Sequence, residues 1–274
     1  MKEQGALQSQ DGGAPEGAAE AKSRYSIEVV AKAFDLLQVF IDEEKDALSL
    51  SEIAARVGLN KNAVFRLLVT LTEKGFLVKS PETGKYRLSL KFIELGRVAR
   101  LSNDLRNVAL PRMKELWREF EDTVNLAVLD EGQICYLEVL ESPHRFKFVA
   151  SPGDHDPVHC TALGKAMMAR LPVAEVRSIL DERGMMTRYT ANTITTCAEV
   201  EQEFARIRER GYALNEGEMV EASRCVAAPI LLRKGEVAGA LSVSGTAARI
   251  PDNRIPQISQ ALLRCCAEIS RELD

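Results

Sequence analysis

The sequence predicts an α+β protein of two parts: an N-terminal helical domain closed by a short hairpin, then a larger domain built on a mixed antiparallel sheet. Three observations carry this expectation. A chain of 274 residues suits two cores better than one. Three helical periodicities follow one another near the N-terminus before any strand pattern appears. From about Asp104 onward, strands and helices segregate instead of alternating regularly, which fits α+β better than a doubly wound sheet.

The first segment, MKEQGALQSQDGGAPEGAAEAKSR, is rich in Gly, Ala, Gln and acidic residues and cannot bury a core, so residues 1–24 are expected to be a disordered tail. It has no apolar h-region, and no run in the chain approaches the roughly 18–20 apolar residues that span a bilayer. Six cysteines without CxxC spacing read as reduced thiols, and the expected location is cytoplasmic, with no membrane partner.

Ser26 is placed to cap a first helix with Val30, Ala33, Phe34, Leu37, Phe40 and Ile41 on its buried face. Ser49 or Ser51 starts a second helix carrying Ile53, Ala54 and Val57. Gly58 stops it, because the turn needs a residue that accepts positive φ. Asn60 caps a third helix, in which Val64, Leu67, Leu68 and Leu71 form the inward stripe. Gly75 ends it. FLVKSPETGKYRLS then reads as two short strands around Pro81, Thr83 and Gly84. Three helices followed by a basic hairpin is the order of a winged helix-turn-helix over residues 25–89. SLKFIELGRVARLSNDL continues as a linker helix, residues 90–103, whose apolar side needs a partner such as a second subunit.

The remaining segment, residues 104–274, opens with a helix near Leu105–Glu121. TVNLAVLD, QICYLEVL and FKFVA read as strands, with Glu131-Gly132 turning the first into the second. TALGKAMMARL, VAEVRSILDERG and AEVEQEFARIRERG read as helices. RCVAAPILLR and EVAGALSVSG form a hairpin across Lys234-Gly235, and a helix from Arg254 closes the chain.

The net charge of −4 is the wrong sign for a polyanion partner, but the distribution is uneven. Leu48–Asn103 holds ten Lys or Arg against four Glu, whereas the flanking segments are each about −5. A basic segment between acidic ones suits a DNA-binding module, although a solvated charged surface gives the same count. On the outward face of the third helix, Asn62 and Arg66 have the chemistry to read adenine and guanine edges. Phe65 can meet a thymine methyl, and Lys61 suits phosphate. The hairpin arms add Lys79, Lys85 and Arg87.

In the second domain, HCTALGKAMMA starts a helix whose Ala162, Leu163 and Gly164 N–H groups can hold a carboxylate, or are simply capped by Thr161. Ser242 and Ser244 share one strand face, either lining a polar pocket or facing water. His155, His159, Cys160 and Cys225 lack the dense spacing of a metal site, and Pro157 breaks any helix that would align the histidines. Nothing supplies an orienting third group for a Cys-His nucleophile. No metal, cofactor or catalytic residue is therefore expected, and a small-molecule enzyme with an accessory DNA module is the alternative reading.

With these pieces in order, the chain resembles the IclR family of bacterial transcription regulators from about Tyr25 to Leu273. The resemblance rests on LSLSEIAARVGLNKNAVFRLLVTLTEKGFLVKSPETGKYRLS, HCTALGKAMMA, RGYALNEGEMVEASRCVAAPI and ALSVSG, in that order. It implies a GAF-like effector domain behind the winged helix, dimers or dimers of dimers on palindromic operators, and a small organic or aromatic acid as effector. It further implies effector contacts at Ala162, Leu163, Asn215, Ser223, Cys225, Ser242 and Ser244. Asn215 stands where Asp is common, Gly217 where Glu is, and Ala222 where Gly is. In the DNA domain, Asn60 stands where Pro is frequent and Phe65 where His is. The expected function is a ligand-responsive regulator of a catabolic operon, a repressor rather than an activator.

Overall fold

A computed structural model describes residues 26–43, 45–101, 103–182 and 186–273. The expected tail lies outside them. The chain separates into two compact units, residues 1–97 and 98–274.

The first unit contains α1 (Glu28–Asp42), α2 (Leu50–Val57), α3 (Lys61–Glu73), β1 (Leu77–Lys79) and β2 (Tyr86–Leu88), followed by α4 (Lys91–Leu101), which crosses the division between the units. Ser49 caps α2 in a reciprocal capping box with Glu52. Gly58 takes φ 66°, a left-handed conformation that frees α3 to leave at a new angle. The Asn60 side chain accepts the Ala63 N–H at 2.9 Å and starts α3. Leu36, Phe40, Leu48, Ile53, Val64, Leu68, Leu77 and Tyr86 form one core. Truncating a fully buried member such as Leu68 to Ala would cost about 2–5 kcal/mol. Leu48 and Tyr86 exchange backbone hydrogen bonds of 2.9 and 2.8 Å, which fixes the hairpin to the chain preceding α2.

Two details of α1 differ from expectation. Its N-cap is Ile27, with no side-chain cap, not Ser26. Its buried residues are Leu36, Val39 and Phe40, while Val30, Phe34 and Ile41 are exposed. Apolar residues occupy more than one face of this helix, and the core takes only one of them. In α4 no residue is buried, and Leu90, just before it, and Ile93, Val98 and Leu101 are all more than half exposed.

The second unit is a six-stranded antiparallel sheet in the order β5-β4-β3-β8-β7-β6. The strands are β3 (Thr123–Asp130), β4 (Gln133–Leu140), β5 (His155–Pro157), β6 (Ala213–Glu216), β7 (Ser223–Leu231) and β8 (Val237–Thr246). On one face, α5 (Asp104–Phe120) and α9 (Ile255–Leu273) build a core with Leu126, Val226 and Leu241. On the other, α6 (Ala162–Met168), α7 (Val173–Glu182) and α8 (Cys197–Arg210) pack on Ala127, Ile134, Ala227 and Ala240. Small alanines on that face let the helices approach closely. Gly164 takes this furthest, because a methyl group there would overlap the Val158 backbone.

The expected strand FKFVA is not a strand. Its alternation imitates one, but the free edge of β4 is taken by β5, and Phe148, Val149 and Ala150 line a cavity instead. No helix among the described residues is long and apolar enough to cross a membrane.

Candidate functional site

In the first unit, the inward positions of α3 are Val64 and Leu68. The helical period then turns Lys61, Asn62, Phe65 and Arg66 outward, and all four are exposed. In the hairpin, Val78 pairs with Arg87 and Lys79 with Tyr86. Lys79, Lys85 and Arg87 are exposed, and the Lys79 ammonium lies 5.4 Å from the centre of the Tyr86 ring. Four side chains thus share the outward face of α3, and three cations share the hairpin.

In the second unit, a cavity of about 250 Å³ opens on the sheet face beside α6. Strand register explains its polar wall. Asn125 on β3 pairs with Ser242 on β8, Ser244 on β8 pairs with Cys225 on β7, and Cys225 pairs with Asn215 on β6. A row of polar side chains therefore crosses four strands. The Asn125 amide donates to Ser242 Oγ at 3.0 Å and to Ser244 Oγ at 3.1 Å. The two hydroxyls lie 3.2 Å apart.

All seven residues singled out in this unit, Ala162, Leu163, Asn215, Ser223, Cys225, Ser242 and Ser244, line this one cavity. Their side chains are not equally available. Asn215 Nδ2 donates to the Cys160 carbonyl at 2.5 Å, and its Oδ1 accepts the Glu218 N–H at 3.1 Å. Ser223 Oγ donates to the Val220 carbonyl at 2.6 Å. Of the two readings of this helix start, the Thr161 cap is present at Gly164, whose N–H is bonded to Thr161 Oγ1 at 3.2 Å.

Sequence reasoning missed Asn125, Tyr136 and Asp156, which also line the cavity. Tyr136 donates its hydroxyl to Asp156 Oδ2 at 2.8 Å. Burial pushes the Asp156 carboxyl above the usual carboxylate range, against the Tyr136 hydrogen bond. Asp156 is the one carboxylate among the described lining residues, and none of them is Lys, Arg or His. Polar Asn125 and Tyr136 on the inward side of apolar strands were the signals available.

The thiols do not suit nucleophilic chemistry. Burial pushes Cys225 up to about 11 and Cys160 up to about 12, so both stay protonated at neutral pH. His159 is buried beside Cys160. Its Nε2 donates to the Thr187 carbonyl at 3.0 Å and its buried Nδ1 has no hydrogen-bond partner among the described residues. Burial lowers its pKa.

A winged helix-turn-helix followed by a sheet domain with an internal polar cavity defines a transcription regulator that couples a DNA-binding domain to an effector domain. Comparison with known proteins agrees. The model of the bacterial transcriptional regulator IclR C-terminal domain matches residues 99–271, and that of the IclR helix-turn-helix domain matches residues 29–81. The chain belongs to the IclR family of bacterial transcription regulators.

Among its relatives, the HTH-type transcriptional regulator XynR of Escherichia coli K12 is 33% identical over 247 residues, covering 90% of this chain and 97% of XynR. The transcriptional repressor IclR of the same organism is 27% identical over 254 residues, covering 92% of each chain. The structure of an IclR homologue from Microbacterium hydrocarbonoxydans, complexed with 4-hydroxybenzoate, is 25% identical with a TM-score of 0.74, covering 89% of this chain and 98% of that one.

Proposed function

We propose that this protein is a cytoplasmic repressor of a catabolic operon. It binds a palindromic operator as a homodimer or a dimer of dimers, and it is released or recruited by a small organic acid. Residues 25–89 form the DNA-binding domain, 90–103 the linker and 104–274 the effector domain. Asn62 and Arg66 read base edges in the major groove, Phe65 meets a thymine methyl, and Lys61, Lys79, Lys85 and Arg87 neutralise phosphates. The acidic second domain and the equally acidic first 47 residues together account for the negative total charge, because the DNA surface is local. The apolar stripe of α1 and the exposed apolar residues of α4 support association of two copies. The protein carries out no reaction of its own, in keeping with its relatives' names as regulators and with its protonated cavity thiol, Cys225.

The convergence of the seven resemblance-derived residues on one cavity is the observation that carries the effector reading. The absence of a cation among its described lining residues favours a monocarboxylate over a polyanion, met by the hydroxyls of Ser242 and Ser244 and the main chain at Ala162 and Leu163. Asp156 and Tyr136 supply acceptors for a hydroxyl on the same ligand. Effector affinity that differs between the DNA-bound and free states shifts operator affinity by linkage. The test is a salt titration of operator binding with and without a panel of carboxylic acids. Binding altered by one acid supports the reading. Turnover of an acid would make the protein an enzyme, and indifference to every acid would leave a DNA-binding protein without an effector.

A further inference from the structure

Three side chains that the cavity does not use converge on the opposite face of the sheet. Asp130 ends β3, Cys135 sits in β4, and His155 begins the edge strand β5. Cys135 pairs with Val128 on one side and with His155 on the other. Asp130 lies two residues beyond Val128, so the pleat turns all three side chains to one face. Their sequence neighbours point the other way: Ile134 enters the core beneath α6, and Asp156 lines the cavity. A carboxylate oxygen, a thiol sulfur and an imidazole nitrogen, one from each residue, all lie within 4.8 Å of one another. His155 Nε2 is 3.0 Å from Asp130 Oδ2. Asp130 and His155 are exposed and Cys135 is half-buried, so solvent reaches the cluster.

We propose that Asp130, Cys135 and His155 bind one divalent transition-metal ion of the Zn²⁺ type, with water in the fourth position. Thiolate, imidazole and carboxylate suit a borderline-soft, four-coordinate ion. Ca²⁺ and Mg²⁺ need six or more oxygen ligands, and among the described residues the cluster contains a single carboxylate, Asp130. Binding releases the Cys135 thiol proton to solvent, and the neutral imidazole gives its lone pair to the ion. The strand held in this way is three residues long, and its next residue, Asp156, faces the cavity. An ion on one face of β5 therefore steadies a wall of the cavity on the other.

The test uses the full chain, stripped with a chelator and titrated with Co²⁺. The expected result is one Co²⁺ per chain, a sulfur-to-cobalt charge-transfer band and the visible bands of a four-coordinate ion, all abolished by Zn²⁺. Cys135→Ser removes the charge-transfer band. His155→Ala weakens Zn²⁺ binding by more than the roughly 100-fold that loss of an outer partner costs. Cys197→Ser, which changes an exposed thiol elsewhere, leaves both unchanged. A band that survives Cys135→Ser, or a spectrum of hydrated octahedral Co²⁺ in the wild type, overturns the proposal. Mass-spectrometric alkylation of the unmutated protein gives a second reading that does not depend on a variant folding. Zn²⁺ protects Cys135 and not Cys197 if the site exists, and equal labelling of Cys135 with and without Zn²⁺ overturns it.

Discussion

Lys165 and Glu218 form an ion pair whose side chains are only 2% and 7% exposed. Lys165 lies on α6, three and two residues beyond the cavity residues Ala162 and Leu163. Glu218 precedes Met219 and Val220, which line the cavity from the loop before β7. The pair ties two walls together. Burial raises the Glu218 carboxyl, opposed by Lys165, and Oε2 of Glu218 has no partner. Lys165→Met should therefore leave a buried charge uncompensated and cost about 3–5 kcal/mol in urea unfolding. The double variant Lys165→Met/Glu218→Leu should recover most of that. If the single and double variants unfold together, the pair is not the cause.

Arg66 and Lys85 are both exposed cations of the first unit, but they should fail differently. Arg66→Ala should weaken operator binding by about 1–3 kcal/mol and relax the preference at one base position. Lys85→Ala should weaken operator and random duplex alike and reduce the salt slope by about 1. Affinity measured on both duplexes at several salt concentrations separates the two roles.

Asp156→Asn should discriminate between acids that do and do not carry a hydroxyl. A hydrogen bond to a charged acceptor contributes about 1.5–3 kcal/mol. Calorimetric affinity for an acid such as 4-hydroxybenzoate should fall by that amount, while affinity for benzoate stays level. An equal loss for both would mean that Asp156 shapes the cavity without reading the hydroxyl.

Acid should destabilise the protein through His159. Burial lowers its pKa from the ordinary 6.5, so the unfolded chain takes up the proton first. Its contribution is complete above 6.5 and is lost as the pH falls through 6.5 towards the lower folded value. Melting temperatures measured from about pH 8 to about pH 5 should drop at the acid end, and His159→Gln should flatten that part of the curve. An unchanged slope in the variant assigns the acid sensitivity to other groups.

The helix-turn-helix was legible because its signals are local. Gly58, Asn60 and the Val64–Leu68 spacing each specify their own surroundings. On α1 the same kind of reading placed Phe40 and Leu37 at the core correctly but also Val30, Phe34 and Ile41, which are exposed, since apolar residues on a surface look in sequence like apolar residues that fill a core. The cavity was half legible. Ser242 and Ser244 share a face by simple alternation, but Asn125 joins them only through the register of β3 against β8. Asp156 reaches the same cavity from the far edge of the sheet, through a three-residue strand too short to leave a pattern.

Asn215 uses both ends of its amide to hold the main chain, donating to Cys160 and accepting from Glu218. An aspartate here would set a carboxylate against the Cys160 carbonyl with no proton between them. An acid at this position would therefore first loosen the joint between β6 and the approach to α6. A substitution at 215 thus acts on the scaffold through two main-chain bonds.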